Sequence, residues 1–309
     1  MTASPTGRPA ASTTASATAS TSTPAAEPHY VLTLSCPDRP GIVHAVTGAL
    51  LRHHANVTES QQFGDPDTRL FFLRVQFTCS ADPARLDAAL RGAAEEFDFD
   101  WQLHPLSSPV RTLIMVSRAG HCLNDLLYRH RAGRLPIDPV AVVSNHEDLA
   151  GLAGFYEVPF SHVPVTPGDP ASKDAAEERL LRTVDELDVE LVVLARYMQV
   201  LSPRVCEALA GRAINIHHSF LPSFAGARPY HQAHTRGVRL IGATAHYVTA
   251  DLDEGPIIEQ DVERVDHSHA VDDLVGLGQD LECRALARAV RWHAERRVLV
   301  DRNRTVVFR

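Results

Sequence analysis

Ala213-Ile214-Asn215-Ile216-His217-His218-Ser219-Phe220-Leu221-Pro222-Ser223-Phe224 is the stretch from which the fold of this chain is most readily inferred. Its first five residues place polar side chains between apolar ones, as a β-strand does. Asn215 and His217 are two positions apart, so in a strand their side chains point to the same face. An amide and an imidazole side by side at the end of a strand predict a polar site there.

Short apolar segments precede this strand, and helical patterns separate them. The predicted strands are Thr112 to Val116, Pro139 to Ser144 and Leu191 to Ala195. Alternating strands and helices predict an α/β domain with a doubly wound, mostly parallel sheet, in which ligands bind beyond the carboxyl ends of the strands. Two further strands, Val238 to Val248 and Pro256 to Arg264, enclose an acidic loop that brings Asp253 near the site.

Residues 29–103 show a different pattern, in the order strand, helix, strand, strand, helix, strand. This βαββαβ order predicts a ferredoxin-like domain. A segment with two prolines, residues 104–110, predicts the linker, and residues 111–309 form the second domain. Residues 1–28 contain 24 Ala, Ser, Thr or Pro, so they have little to bury and are predicted to be a disordered tail.

The overall composition favours a protein that acts on small molecules. A length of 309 residues with 44% hydrophobic side chains is enough for two packed domains. The formal net charge of −8 and the lack of a long basic run argue against nucleic acid as a partner. Five widely spaced cysteines and the absence of a long apolar run predict reduced thiols, no membrane contact and a cytoplasmic location.

The chemistry that suits these side chains is attack on a carbonyl group. Asn215 can donate to the oxyanion of a tetrahedral intermediate, and a histidine such as His217 can donate a hydrogen bond or move a proton near neutral pH. Asp253 would supply the base or hold the imidazolium. Taken singly, each has a structural alternative: a turn cap, a buried core histidine and an ordinary turn residue. Neither Ser219 nor Cys206 lies in a nucleophile elbow, so direct attack by water or an amine is preferred.

The first turn of the N-terminal domain, Cys36-Pro37-Asp38-Arg39-Pro40-Gly41-Ile42-Val43, resembles the first turn of ACT domains, small regulatory modules that often bind amino acids. Physically, Gly41 permits a tight turn and the helix after it offers free N–H groups to a carboxylate. The alternative is a domain that serves only for dimerisation. The candidate effector-binding residues are Asp38, Arg39, Gly41, Ile42 and Asn56.

The stretch quoted first, with Asp253 seven residues after His246, resembles the signature of folate-dependent formyltransferases over roughly residues 111–300. The resemblance implies that Asn215, His217 and Asp253 are the catalytic residues. It also implies a pteridine pocket, whose candidate folate-binding residues are Met198, Gln199, Val200, Leu201, Val248, Thr249 and Asp251.

An ACT-like domain in front of a formyltransferase-type domain resembles the formyltetrahydrofolate deformylases. That resemblance implies hydrolysis of 10-formyltetrahydrofolate to formate and tetrahydrofolate, which would serve one-carbon and purine metabolism. One alternative is a glycinamide ribonucleotide formyltransferase, but this needs a glycine-rich phosphate cradle, and the turn from Ser117 to Cys122 has one glycine. The other is a non-enzymatic folate or amino-acid sensor.

Seven of the 17 histidines lie between His217 and His269, which invites a zinc site. No H-E-x-x-H or cysteine-rich spacing accompanies them, and the resemblance implies no metal, so neither a metal nor a cofactor is expected. The expected partners are the folate substrate, water and an amino-acid effector at the ACT-like domain. A homo-oligomer is expected because ACT-like sheets often pair edge to edge.

Overall fold

The structure of the chain is a computed structural model. It describes residue 1 and residues 27–106, 108–221 and 229–309, with the backbone alone at Pro229. The prediction of a disordered tail falls on residues 1–28, nearly all of which lie outside the described residues.

The N-terminal domain has the predicted ferredoxin-like order. Its four strands form an antiparallel sheet in the order β2-β3-β1-β4, and its two helices contact each other. Alternate residues of β1 and β3 join Ile42 and Val46 of α1 and Leu86 and Leu90 of α2 in one apolar core. The elements are β1 His29–Pro37, α1 Ile42–Leu51, β2 Asn56–Gly64, β3 Leu70–Thr78, α2 Pro83–Phe97 and β4 Asp100–Pro105.

The connection between the two domains is shorter than the predicted linker. His104 and Pro105 belong to β4, where they pair with Val31 and Tyr30 of β1, and Val110 begins the next strand. Residues 106–109 are therefore all that separates the two sheets. The two prolines placed the start of the linker too early, because Pro105 is the last residue of the edge strand β4. A proline is tolerated there, since its missing N–H removes no hydrogen bond between strands inside the sheet.

The second domain is built on a seven-stranded sheet in the order β11-β10-β9-β8-β5-β6-β7. The strands β5 to β9 are parallel, and β10 and β11 are antiparallel. The elements are β5 Val110–Val116, α3 His121–Arg131, β6 Ile137–Ser144, α4 Ala150–Phe155, β7 Phe160–His162, α5 Pro170–Glu186, β8 Leu191–Leu194, α6 Pro203–Ala208, β9 Ala213–His217, α7 Pro229–Arg236, β10 Leu240–Tyr247, β11 Ile257–Arg264, α8 Val271–Ala294, β12 Val298–Asp301 and β13 Arg304–Val307.

Both faces of this sheet are covered by helices, as the apolar strands require. One face packs against α3 and α8, and the other packs against α5 and α6. Strands on the two sides of β5 progress in opposite directions along the sheet, so the strand order reverses between β5 and β8. Ligands bind at such a reversal, beyond the carboxyl ends of the strands. The doubly wound fold predicted from the sequence is confirmed.

Several short elements were not predicted. The strand β7 has three residues, and the helices α4 and α7 have six and eight. The strands β12 and β13, of four residues each, form a hairpin. Elements of this length carry too few residues to show a period.

The two domains meet through charged residues. Arg74 of β3 is 1% exposed, lies 3.1 Å from a carboxylate oxygen of Glu59, and donates to the carbonyl oxygen of Glu295 after α8. Arg297 lies 2.9 Å from the same Glu59 carboxylate. Among the described residues, no helix is long and apolar enough to cross a membrane.

Candidate active site

The strand β9 brings Asn215 and His217 to one wall of a cavity, as their spacing predicts. β9 lies between β8 and β10, and the antiparallel pairing with β10 places His246 directly opposite Asn215. His246 is buried and also lines the cavity. Two neighbouring strands therefore supply an amide and two imidazoles to the same place.

Asp253 reaches this cluster from the loop between β10 and β11. Its Oδ2 lies 3.2 Å from His217 Nδ1, and its Oδ1 lies 3.6 Å from His246 Nε2. The backbone of Asp253 has a φ of 58°. The loop returns so close to β10 that a Cβ on Gly255 would collide with the carbonyl oxygen of Tyr247. A glycine is therefore required where the acidic loop returns to the sheet.

His246 orients Asn215 through its two ring nitrogens. The carbonyl oxygen of Tyr247 lies 2.9 Å from His246 Nδ1 and can only accept, so Nδ1 carries the hydrogen. In the neutral ring, Nε2 is then an acceptor, and the Asn215 amide nitrogen lies 3.2 Å from it. This bond uses one of the two N–H groups of Asn215, which leaves the other for a ligand.

The charges around the cluster favour an ionised carboxylate. The hydrogen bond from His217, with His246 nearby, holds the pKa of Asp253 well below its usual range. His218 stacks on His217 with ring centroids 5.0 Å apart. Burial, with the positive charge of Arg196 and the neighbouring His217, lowers the pKa of His218 to about 4. His218 is therefore neutral at physiological pH.

The cavity beside these groups has a volume of about 250 Å³. Six of the seven predicted folate-binding residues line it: Met198, Gln199, Val200, Leu201, Val248 and Thr249. Asp251 does not, and its carbonyl oxygen accepts a hydrogen bond from the Thr249 hydroxyl at 3.0 Å. The mostly apolar wall suits a flat heterocycle, with polar groups at one end.

The two side chains weighed as covalent nucleophiles are poorly placed for that role. Burial raises the pKa of Cys206, which disfavours the reactive thiolate. Ser219 is buried, and its hydroxyl makes no hydrogen bond to the described residues. Neither group hydrogen-bonds to a basic side chain among those residues, which supports attack by an external nucleophile.

A second polar cluster lies behind the cavity, on the side of β8. Glu282 of α8 accepts hydrogen bonds from His121 Nε2 at 2.7 Å and from the Tyr230 hydroxyl at 3.0 Å, and Arg196 Nε lies 3.4 Å from it. In the described part of the chain, His121, Cys122 and Glu282 are the one group with the side chains and spacing of metal ligands. The guanidinium beside Glu282 opposes a cation there.

The candidate effector residues are only partly brought together. Gly41 has a φ of 104° and begins α1, and the neighbouring Arg39 lies over the Phe97 ring, 4.7 Å from its centroid. Asp38 lies beside Gly64, at the end of β2, while Ile42 is buried in the core. Asn56 begins β2, so the length of that strand, roughly 26 Å at about 3.3 Å per residue, separates it from the turn within one chain.

Sequence reasoning did not assign roles to His246, Arg196 or Glu282. His246 carried a usable signal, because it is the one residue that titrates near neutral pH in a mostly apolar strand segment, Ile241 to Tyr247. Arg196 follows a run of five apolar residues and has a φ of 66°, an uncommon backbone for a non-glycine residue. Glu282 looks like any helix-surface glutamate in the sequence, and only the packing of α3 and α7 against α8 shows that it is buried.

Comparison with known proteins agrees with this geometry. Residues 110–290 match the formyl transferase family, and residues 30–92 match the ACT domain. The formyltetrahydrofolate deformylase of Corynebacterium sp. strain P-1 is 52% identical over 284 residues, which cover 91% of this chain and 98% of that protein.

Solved structures give the same relationship. A formyltetrahydrofolate deformylase from Burkholderia mallei matches with a TM-score of 0.86 and 51% identity, covering 91% of this chain and 100% of its own. Glycinamide ribonucleotide transformylase 1 from Symbiobacterium toebii matches less well, with a TM-score of 0.60, 32% identity and 67% of this chain covered, against 98% of its own. By its two domains and by these similarities, the chain belongs to the formyltetrahydrofolate deformylase family.

Proposed function

We propose that this protein hydrolyses 10-formyltetrahydrofolate to formate and tetrahydrofolate, with water as the formyl acceptor. The observation that carries the proposal is the meeting of Asn215, His217 and Asp253 at one end of an apolar cavity, in a chain that belongs to the deformylase family. The set combines an oxyanion donor, a proton donor and a carboxylate, which are the parts that water attack on an amide carbonyl requires.

The formyl oxygen is stabilised as water adds to the carbon. The free N–H of Asn215 and the protonated ring of His217 donate to the oxygen on which negative charge develops. His246 fixes the Asn215 amide in position, and Asp253 holds the His217 ring through Nδ1. Because these contacts exist before substrate binds, little reorganisation is needed during the reaction.

Proton transfer follows from the pairing of Asp253 with His217. In the resting protein the low pKa of Asp253 makes it a weak base. When His217 gives its proton to N10, the positive charge that holds down the Asp253 pKa is removed, and the carboxylate becomes more basic. Asp253 then takes the proton that water loses, and the C–N10 bond breaks. A water molecule carries this proton from Asp253 to His217 Nε2, because Nδ1 keeps the hydrogen that it donates to Asp253. Formic acid leaves and ionises to formate.

The cavity supplies the binding energy for the folate. Met198 and Val200 are more than half exposed, at 58% and 56%, so they present apolar surface that a bound heterocycle would cover. Leu201 and Val248 form the deeper wall. We propose that the pteridine ring lies here, with Thr249 and the backbone of the acidic loop near its polar edge, and that the reaction needs no cofactor or metal.

A direct assay tests this proposal. Purified protein is incubated with 10-formyltetrahydrofolate, and both formate and tetrahydrofolate are measured, with and without glycinamide ribonucleotide. Equal amounts of formate and tetrahydrofolate, unaffected by the ribonucleotide, are expected. Tetrahydrofolate that forms only with the ribonucleotide would assign a transferase, and binding without turnover would assign a sensor.

We also propose a cytoplasmic homo-oligomer that serves one-carbon and purine metabolism and responds to an amino acid at its ACT domain. Five free cysteines suit a reducing compartment. The edge strand β2 is nine residues long and largely exposed, so its unpaired backbone groups are able to bind a second copy. Sedimentation and calorimetric titration with free amino acids test these points, and a monomer with no heat of binding would contradict them.

A further inference from the structure

We propose that Arg196 is a specificity-determining residue, which Glu282 holds against the active site so that it closes the acceptor side of the cavity and restricts formyl transfer to water. The acceptor side means the side of β9 that faces β8 and β5, opposite the strand β10 that leads to Asp253. This inference rests on the proposed hydrolysis and extends it to the choice of nucleophile.

Arg196 stands where a second substrate would approach. It follows the buried end of β8 and lines the same cavity as Asn215 and His217. Its charge acts on His218, whose ring stacks on His217. The positive φ of 66° is one that glycine adopts without cost, so a large charged side chain at this position is held there by its contacts.

The contacts come from a carboxylate that is almost fully buried. The Glu282 side chain is 2% exposed and lies 3.4 Å from Arg196 Nε. His121 of α3 and Tyr230 of α7 donate to the same carboxylate. Three elements, α3, α7 and the end of β8, therefore converge on Glu282 of α8. Because a buried carboxylate without partners is costly, these partners hold Glu282 in place.

The turn after β5 is also closed to an acceptor. The Ser117 hydroxyl donates to Asn145 Oδ1 at 2.6 Å and accepts from the Met198 N–H at 3.0 Å. A side chain on Gly120 would press against Leu149, 2.9 Å away, so this glycine serves packing. Ser117 and Asn145, which follow β5 and β6, thus bind each other instead of facing an acceptor.

The consequence is a difference between nucleophiles. Water is small enough to enter from the folate side of the cavity, while an amine with a substituent needs room beyond the formyl carbon. If that room existed, the amine nitrogen would form a C–N bond to the formyl carbon, the C–N10 bond would break, and the amine proton would end on N10. The Arg196 side chain, held by Glu282, occupies the space beyond the formyl carbon instead.

The test compares water with a small primary amine as acceptor. The double variant Arg196→Gly/Glu282→Gln removes the side chain and neutralises the carboxylate that would otherwise lose its cation. Wild type and Tyr230→Phe are the controls, since both keep Arg196, its ion pair with Glu282 and the volume of the Tyr230 ring. Glu282→Gln keeps the Arg196 side chain but removes the charge that holds it. Each protein receives 10-formyltetrahydrofolate and glycinamide, and formate and N-formylglycinamide are measured.

The ratio of N-formylglycinamide to formate is expected to rise at least tenfold in the double variant, to rise by a smaller factor in Glu282→Gln, and to stay at the wild-type value in Tyr230→Phe. An unchanged ratio, or loss of all formyl release in a folded double variant, would overturn the proposal. If the double variant does not fold, Arg196→Lys decides, because its slimmer head group must raise the ratio too. Failure of wild type to release formate would instead overturn the proposed hydrolysis.

Discussion

Asp253 Oδ2 lies 3.2 Å from His217 Nδ1 and joins a carboxylate on a loop to an imidazole on the central part of the sheet. Asp253 is 26% exposed and His217 is 14% exposed, so the pair is partly shielded from water. The loop that carries Asp253 is closed at its base by the Tyr247 N–H, which donates to the carbonyl oxygen of Pro256 at 2.9 Å. The backbone contact at the base of the loop and the contact with His217 together hold Asp253 in the site.

This pairing predicts how stability depends on pH. Because the pKa of Asp253 is lowered from 3.8 on folding, the unfolded chain takes up the proton first as the pH falls. The stabilisation from Asp253 is complete above pH about 4 and is lost as the pH falls toward the lower folded pKa. The difference in free energy of unfolding between wild type and Asp253→Asn should be constant from pH 7 to 5 and shrink toward pH 3.5. Asp185→Asn on the exposed surface of α5 is the control, and an equal shrinkage there would contradict the assignment.

Replacing Asn215 by Ala should lower kcat by about 10²–10³-fold, as the loss of an oxyanion donor does. KM should change little, because the amide acts on charge that develops only in the transition state. Replacing His246 by Ala should produce a smaller loss of the same kind, since it positions Asn215 through the 3.2 Å contact. Steady-state formate release measures both, and a change confined to KM would argue against this role.

The folate cavity predicts a different effect for Met198. Truncation to Ala removes apolar surface that the pteridine covers, and roughly 1–2 kcal/mol of lost burial corresponds to about a 5- to 30-fold weaker binding. KM should rise while kcat stays near wild type. Asp251→Ala should raise KM less, because Asp251 does not line the cavity. A larger effect at Asp251 would show that the acidic loop moves onto the substrate.

A substitution at the contact between the domains should lower the stability of the protein without lowering its catalytic activity. Glu59→Gln would leave Arg74, which is 1% exposed, without its charged partner. Breaking a buried ion pair lowers the free energy of unfolding by about 3–5 kcal/mol. Here a loss of about 2 kcal/mol is expected, because Glu59 is about one-third exposed and Arg74 keeps its hydrogen bond to the Glu295 carbonyl oxygen. Denaturant unfolding measures it, with the exposed pair Arg91 and Asp87 as the control, where Asp87→Asn should cost less than about 1 kcal/mol.

Much of the fold was predictable because local patterns and tertiary packing agree. The strand around Val193 is a continuous apolar run, as a parallel strand covered on both faces must be. The βαββαβ order of the first domain followed from the pattern of strands and helices along residues 29–103. The tight turn at Gly41 was also recognisable, and its φ of 104° explains why a glycine stands there.

What could not be predicted depends on which surfaces meet. His246 becomes a partner of Asn215 only through the register of β9 and β10. Glu282 becomes buried only when α3, α7 and α8 pack together, and nothing in the spacing of His121, Tyr230 and Glu282 indicates that they converge. Asn56 was included among the effector residues because it stands at the start of the second strand, and only the direction of that strand, from Asn56 to Gly64, shows that its far end is the one beside the turn.

The most direct test of the central claim is formate release in a single turnover by Asp253→Asn, compared with wild type at equal occupancy by 10-formyltetrahydrofolate. The account predicts a rate lower by about 10²–10⁴-fold, because the amide can neither hold the His217 imidazolium nor accept the proton of water. Folate binding, measured separately by fluorescence titration, should remain within a few fold of wild type. A variant that binds folate and releases formate at the wild-type rate would contradict the account.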